Sequence, residues 1–190
     1  MIKKFFREPF FEKILRYLRT RKVLSYIHEA EVICDIGCGF NAYFLNKAKK
    51  YITKGYGIDK KVSIKSTDKI VLQKTEFFDN LPFQNNFFDA VTMIAVIEHL
   101  QDYNSIIKEI YRILKPEGLL IITTPTTQAK KILDFLAFKL NILNKEEIKE
   151  HYKYFDKKDM AALLENNYFL IKKYAYFEFK FNSIAVAVKK

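Results

Sequence analysis

Asp35, Gly37 and Gly39 stand in the run Val32-Ile33-Cys34-Asp35-Ile36-Gly37-Cys38-Gly39-Phe40-Asn41-Ala42, and Asp59 closes a second short run, Gly57-Ile58-Asp59. An apolar strand entering a glycine bend, with a helix behind it, is built to receive a ligand. Glycine adopts backbone angles that other residues resist, and its missing side chain lets a ligand approach the main chain. The helix behind such a bend presents N–H groups without partners. Gly37, Gly39 and Ala42 fit the G-x-G-x-x-G/A pattern of dinucleotide enzymes, with Asp59 placed where a ribose-binding acid belongs.

Asp35 tips the choice between a dinucleotide and a nucleoside without phosphate. It precedes Gly37 by two residues, at the mouth of the strand. A carboxylate there repels a diphosphate, whereas the ammonium and sulfonium of S-adenosylmethionine are favoured by it. The plainer role for Asp35 is to cap the glycine loop. Three histidines complete the groups able to move protons. His99 follows the fourth strand and suits proton transfer near neutral pH. His151 precedes Tyr152, Tyr154 and Phe155 and is the competing base, or else part of an aromatic closure. His28 reads as a surface or packing residue. Cys34 and Cys38 form no C-x-x-C pair and have no His/Cys set to complete a zinc site, so no metal is expected.

The elements that position these groups follow from apolar periodicity. Strands are expected at 32–36, 56–58, 70–77, 88–94, 119–123, 169–179 and 183–188. Helices are expected at 5–27, 41–50, 103–114, 125–149 and from the cap Asp156 through Leu164. The crossover over 60–69 is short and polar, so its helix is expected to shrink to a turn. Strands alternating with helices call for a mostly parallel sheet covered on both faces. The tight turn Lys180-Phe181-Asn182 forces the last two strands to run antiparallel. The chain therefore reads as an α/β Rossmann-like three-layer sandwich. It is one domain over 1–190, with an N-terminal helical segment at 1–28 and a helical lid or substrate region at 126–155.

Further motifs continue in order after the first two: Glu76-Phe77-Phe78-Asp79-Asn80-Leu81-Pro82-Phe83, Phe87-Phe88-Asp89-Ala90-Val91, Ile97-Glu98-His99-Leu100, Ile113-Leu114-Lys115-Pro116-Glu117-Gly118 and Thr123-Thr124-Pro125. With Asp35-Ile36-Gly37-Cys38-Gly39 and Gly57-Ile58-Asp59, this series resembles the class I S-adenosylmethionine-dependent methyltransferases of the small bacterial type, from about Glu31 to Lys190. The resemblance implies a seven-stranded sheet whose last strand lies antiparallel beside the fifth, with S-adenosylmethionine as cofactor. It implies that Asp35, Gly37, Cys38, Gly39, Asp59, Lys60, Glu76, Phe77 and Ile94 bind the cofactor. Asp59 would hold the ribose hydroxyls and Phe77 would wall the adenine. Glu76 stands where the family often has Asp, and Asp79 competes for that role.

The acceptor is narrowed by what is missing. Thr92-Met93-Ile94-Ala95 has no proline, unlike the Asn/Asp-Pro-Pro-aromatic loop of enzymes that methylate nucleobase amines, and no proline precedes a cysteine as in cytosine C5 enzymes. The expected reaction is O-methylation of a small molecule, sugar or lipid-linked precursor, with His99 or His151 as base. The alternatives are methylation of an RNA ribose, an NAD-dependent oxidoreductase, for which the chain is short, and a binding protein that keeps the fold without turnover.

The net charge of +11 admits RNA or an anionic membrane as a partner. The lysines are scattered, however, so nucleic acid is disfavoured. A basic amphipathic helix at the N-terminus, with Arg16, Arg19, Arg21 and Lys22 between its apolar residues, leaves peripheral membrane contact or pocket covering as expectations. The plainer role is packing on the domain's own core. Two cysteines exclude a disulfide framework. With no signal-peptide layout and no apolar run of membrane-spanning length, a reducing cytoplasm is the expected compartment.

Overall fold

The computed structural model describes residues 10–27, 32–63, 65–75, 80–130 and 151–190. Its strands are β1 (Val32–Ile36), β2 (Lys54–Asp59), β3 (Ile70–Lys74), β4 (Phe88–Ile94), β5 (Leu114–Pro125), β6 (Phe169–Phe177) and β7 (Asn182–Lys189). Its helices are α1 (Phe10–Leu24), α2 (Tyr43–Ala48), α3 (Tyr103–Ile113) and α4 (Lys157–Asn166), with one 3-10 turn over Ile97–His99. The strands form one sheet in the order β3-β2-β1-β4-β5-β7-β6. Pairing is parallel from β3 to β5, and β7 runs antiparallel to both β5 and β6. This is the Rossmann-like sandwich that the sequence implied.

Successive strand residues point to opposite faces, and the two cores divide accordingly. Cys34, Ile36, Val91, Met93, Leu120 and Ile122 pack with Ile106, Ile107, Ile110 and Ile113 of α3 and with Met160, Leu163 and Leu164 of α4. On the other face Ile33, Ala90, Ile121, Ile184 and Val186 pack with Val23 and Ile27 from α1 and its end, and with Phe44, Leu45 and Ala48 of α2. Thr20, Val23 and Ile27 are buried, so one side of α1 lies on the domain's own core. No described helix is long and apolar enough to cross a membrane.

Several boundaries differ from the sequence reading for identifiable reasons. Ala42 takes a left-handed conformation (φ 44°), so α2 starts only at Tyr43. Leu114 is already extended, and Lys115-Pro116-Glu117-Gly118 begins β5 instead of closing a helix, since proline cannot continue one. β3 ends at Lys74, and the expected strand beyond Thr75 falls outside the described residues. The β6–β7 turn is Glu178 to Phe181 instead of 180–182, because Asn182 already pairs with Phe177 and Pro125. Glu178, Phe179 and Lys180 all have positive φ there. No helix occurs among the described residues between β2 and β3, as the polar stretch predicted. Residues 131–150, most of the expected lid, lie outside the described set, as does His28.

Candidate active site

The strand order reverses direction between β1 and β4, and in open α/β sheets the ligand crevice lies beyond the carboxyl ends of such a pair. The glycine bend sits there. Gly37 and Gly39 both take left-handed backbone angles, φ +73° and +72°. Their surroundings differ. A Cβ on Gly37 would stand 2.3 Å from Val96 Cγ2, whereas one on Gly39 would meet nothing within 4 Å among the described residues. Gly37 is thus a packing glycine, and the space over Gly39 is open to a ligand.

The bend's amides are directed inward. Gly37 N and Cys38 N donate to Ile58 O at 2.8 and 3.1 Å, and Gly39 N donates to Asp59 Oδ2 at 2.9 Å. The three amides of the bend itself are therefore bonded within the protein, and the N–H groups expected to meet a ligand belong to the helix behind it, which starts at Tyr43. A diphosphate across the bend would find its three amides committed, and the Asp59 carboxylate beside it. Asp59 Oδ1 also accepts from Lys61 N at 2.6 Å, which fixes the carboxylate at the end of β2. Lys60 is exposed beyond it.

Asp35 lies deeper than the mouth position read from the sequence. It is 2 % exposed, and its Oδ1 accepts from Thr92 Oγ1 at 2.6 Å, from the paired position on β4. Burial pushes its carboxyl up to about 7; the Thr92 hydrogen bond opposes this and the nearby Asp59 carboxylate adds to it. Cys38 is buried too, and burial together with Asp35 and Asp59 holds its thiol well above the usual range. Two carboxylates therefore act on one bend. Ile94 ends β4 partly buried, paired with Thr123. Glu76 and Phe77, with the competing Asp79, lie outside the described residues. The chain leaving that segment is held by Arg112, which donates to Leu81 O, Phe83 O and Asn85 Oδ1 at 2.7–2.9 Å.

Val96, which closes over Gly37, leads into the 3-10 turn that carries Glu98 and His99. The two histidines that sequence offered as alternatives are neighbours: the rings of His99 and His151 lie 4.6 Å apart, edge to face. His151 Nδ1 is 2.9 Å from Tyr154 Oη. Burial, then His99, then Arg19 lower His151 to about 4. Glu98 is 1 % exposed and its Oε2 accepts from Thr124 Oγ1 at 3.1 Å. Burial raises it to about 7, against its backbone hydrogen bond, the Arg19 charge and Thr124. The Glu98 carbonyl accepts from Tyr152 N at 2.8 Å, tying the His151 segment to the 3-10 turn.

Glu98, Thr92, Thr124, Tyr154 and Arg19 were not singled out from sequence as site residues. For Glu98 the signal was present, an acid adjacent to the candidate base His99; the others become legible only through the register of β4 with β1, or through folding of α1 and residues 151–156 over the sheet ends. Tyr111 and Lys115 have the Tyr-x-x-x-Lys spacing of a dehydrogenase pair, but they serve elsewhere. Tyr111 Oη donates to Lys190 O at 2.9 Å, and Lys115 pairs with Asp89, near the start of β4.

Comparison with known proteins agrees with this architecture. A family model described as "Methyltransferase domain" matches residues 5–171. An uncharacterized protein of Methanocaldococcus jannaschii is 33% identical over 129 residues, covering 66% of this chain and 49% of that protein. A sterol 24-C-methyltransferase of Aspergillus fumigatus is 28% identical over 132 residues, covering 59% and 32%. The chain thus spans half or less of the length of these two relatives. Among solved structures, the magnesium protoporphyrin IX methyltransferase of Synechocystis, with bound S-adenosylhomocysteine, superposes with a TM-score of 0.70 at 16% identity, over 94% of this chain and 85% of that one. The chain belongs to the methyltransferase-domain family, within the class I S-adenosylmethionine-dependent methyltransferases.

Proposed function

We propose that the chain binds S-adenosylmethionine across the glycine bend and transfers its methyl group to a hydroxyl of a small molecule, sugar or lipid-linked precursor. One observation carries the cofactor reading: Asp35 and Asp59 bear on a bend whose amides are already bonded, beside open space over Gly39. That environment suits a cation and a ribose, and it repels a diphosphate. In this reading Asp35 favours the ammonium, Asp59 accepts from the ribose hydroxyls on its remaining lone pairs, and Gly39 admits the ligand. Cys38, Lys60 and Ile94 line the site, and Glu76 and Phe77 hold the adenine.

When bound, S-adenosylmethionine supplies a methyl carbon on a sulfonium, so the new O–C bond forms as the S–C bond breaks with its electron pair left on sulfur. The protein's part is to align the acceptor and to take its proton. His99 N donates to the carbonyl of Val96, the residue packed on Gly37, and the His151 ring stands beside that of His99; either imidazole can accept the hydroxyl proton. Tyr154 and Thr124 fix the neighbouring groups. A carbon acceptor is the second reading, favoured by the name of the Aspergillus relative. A lipid-linked acceptor fits contact of α1 with a membrane through Ile14 and Tyr17, its exposed apolar residues.

The test is ligand stabilisation followed by product analysis. S-adenosylhomocysteine at a hundredfold excess over its Kd should stabilise the protein by about 2.7 kcal/mol, and NAD should not. Methyl-labelled cofactor offered with hydroxylated acceptors should yield an O-methyl product. A thermal shift with NAD alone overturns the cofactor reading, and a C-methyl product overturns the hydroxyl.

A further inference from the structure

We infer that Glu98, His99 and His151 form a binding site for a divalent transition-metal ion beside the transfer position. Each of the three offers one ligand atom, and these atoms all lie within 4.8 Å of one another. Two imidazole nitrogens and one carboxylate oxygen are a ligand set that suits zinc, iron, cobalt or manganese. Bonds of about 2.0–2.1 Å require ligand atoms roughly 3.0–3.4 Å apart, a contraction that side-chain rotation supplies.

The cluster is also braced from outside, as metal sites are. His151 Nδ1 is held by Tyr154 Oη at 2.9 Å, so Nε2 is the nitrogen that would ligate. Glu98 Oε2 is held by Thr124 at 3.1 Å, and the carboxyl also accepts a backbone hydrogen bond, so it is oriented before an ion arrives. The backbone bond from Tyr152 N to Glu98 O at 2.8 Å keeps the two segments in register without any ion. Such bracing lowers the ordering cost of ligation, since the site is assembled before the metal arrives. The Arg19 charge bears on Glu98 and His151 alike; it opposes a cation and so limits the affinity.

Three protein ligands leave further coordination positions for an exogenous oxygen. The chemical class that fills them is an oxygen donor: a phenol, an enol or a 2-hydroxy acid. This part rests on the transferase reading above; the metal binding does not. Ligation and proton transfer use the same imidazole lone pairs, so in the loaded site the ion replaces the base. It lowers the pKa of the bound hydroxyl, and the proton leaves to water.

The experiment uses the full chain after treatment with a chelator, without cofactor or acceptor. Cobalt(II) is titrated and its visible d–d absorption recorded, with zinc as competitor. The expected result is one cobalt per chain, displaced by zinc. His99→Gln, His151→Gln and Glu98→Gln should each weaken binding at least tenfold while binding S-adenosylhomocysteine normally, which also reports that they fold. Where a variant does not fold, the imidazole NMR resonances of the unmutated protein give the second readout: those of His99 and His151 should shift on adding zinc, and that of His28 should not. Absent absorption with unshifted imidazoles overturns the inference, as does unchanged cobalt affinity in a folded His99→Gln/His151→Gln double variant. Methyl transfer by metal-free protein would leave the transferase reading intact while the metal inference is judged on binding alone. Metal binding without any transfer would do the reverse.

Discussion

Replacing Asp35 with Asn should make the ligand-free protein more stable and its cofactor affinity worse, both with a defined pH dependence. The carboxyl is 2 % exposed and is pushed up to about 7 from 3.8. A folded-state pKa above the unfolded one means that the native protein holds its proton to higher pH. The associated stability is complete below about pH 4 and is lost as pH rises through about 7. The difference of roughly three units corresponds to at most about 4 kcal/mol at 1.36 kcal/mol per unit. Asn keeps an oxygen to accept from Thr92 Oγ1 and carries no charge. The stability of the unmutated protein minus that of Asp35→Asn should therefore fall between pH 4.5 and 8, with the variant the more stable at pH 8. This subtraction removes every other titrating group. Cofactor binding runs the other way. If Asp35 faces the ammonium it must be ionised in the complex, so at pH 6 binding releases about 0.9 proton and at pH 8 about 0.1. Affinity should rise up to about tenfold per pH unit below 7 and level off above it. Asp35→Asn should bind with a flat profile, weaker at pH 8 by on the order of a hundredfold. Calorimetry in two buffers of different ionisation enthalpy measures the proton count directly. No proton release at pH 6, with the variant binding as well as the original, would refute the placement of Asp35 against the ligand.

The two glycines of the bend should respond differently to alanine. Gly39→Ala faces open space and only the left-handed penalty of about 1–2 kcal/mol, so it should fold and lose S-adenosylhomocysteine binding. Gly37→Ala adds a 2.3 Å clash with Val96 and should destabilise by about 3 kcal/mol or more. Denaturant titration with a binding isotherm separates the two outcomes. Arg112→Met removes the donor shared by Leu81 O, Phe83 O and Asn85 Oδ1 and should cost about 2–3 kcal/mol, with cofactor affinity lowered if the preceding residues hold the adenine as proposed; equal stability would show that the loop holds itself. His151→Gln should lower kcat by about 10²–10⁴ and leave S-adenosylhomocysteine affinity within about twofold. A proportional loss of both would assign His151 to packing.

Sequence made the sheet legible because its signals are local. β1, β4 and β7 are short apolar runs, and a tight turn allows only one relative direction for β6 and β7. The glycine bend was legible for the same reason, since strand, bend and acid lie within a few residues. Errors arose where a local signal served a different element. Lys115-Pro116-Gly118 has the composition of a helix stop, yet its backbone continues into β5 with Glu117 at φ 62°. Ala42 matches the third small residue of a dinucleotide motif, but the left-handed angle it adopts delays the helix. Here a composition pattern was matched by a backbone with different hydrogen bonds, and the bonds decide which ligand fits. Bend amides that donate to Ile58 and Asp59 cannot at the same time hold a diphosphate.

The second half of the site was hidden for a topological reason. Glu98 and His99 lie at the end of β4, Thr124 at the end of β5, Arg19 on α1, and His151 with Tyr154 in the approach to α4. No spacing rule links positions so far apart in the chain; only the parallel sheet brings the ends of its strands to one edge. The consequence is directional. Because β4 and β5 are parallel and paired from Ala90 to Ile94, whatever leaves their carboxyl ends must emerge beside the crevice at β1, next to the carboxylates of the bend. A polar residue placed at the opposite end of the same strands, as Asp89 and Lys115 are, forms an ion pair that anchors β4 to β5 and never meets the ligand. Function in this chain is therefore decided by strand end as much as by residue type. Exchanging Asp89 and Lys115 should alter stability alone, whereas a single change at Glu98 or His151 should alter transfer.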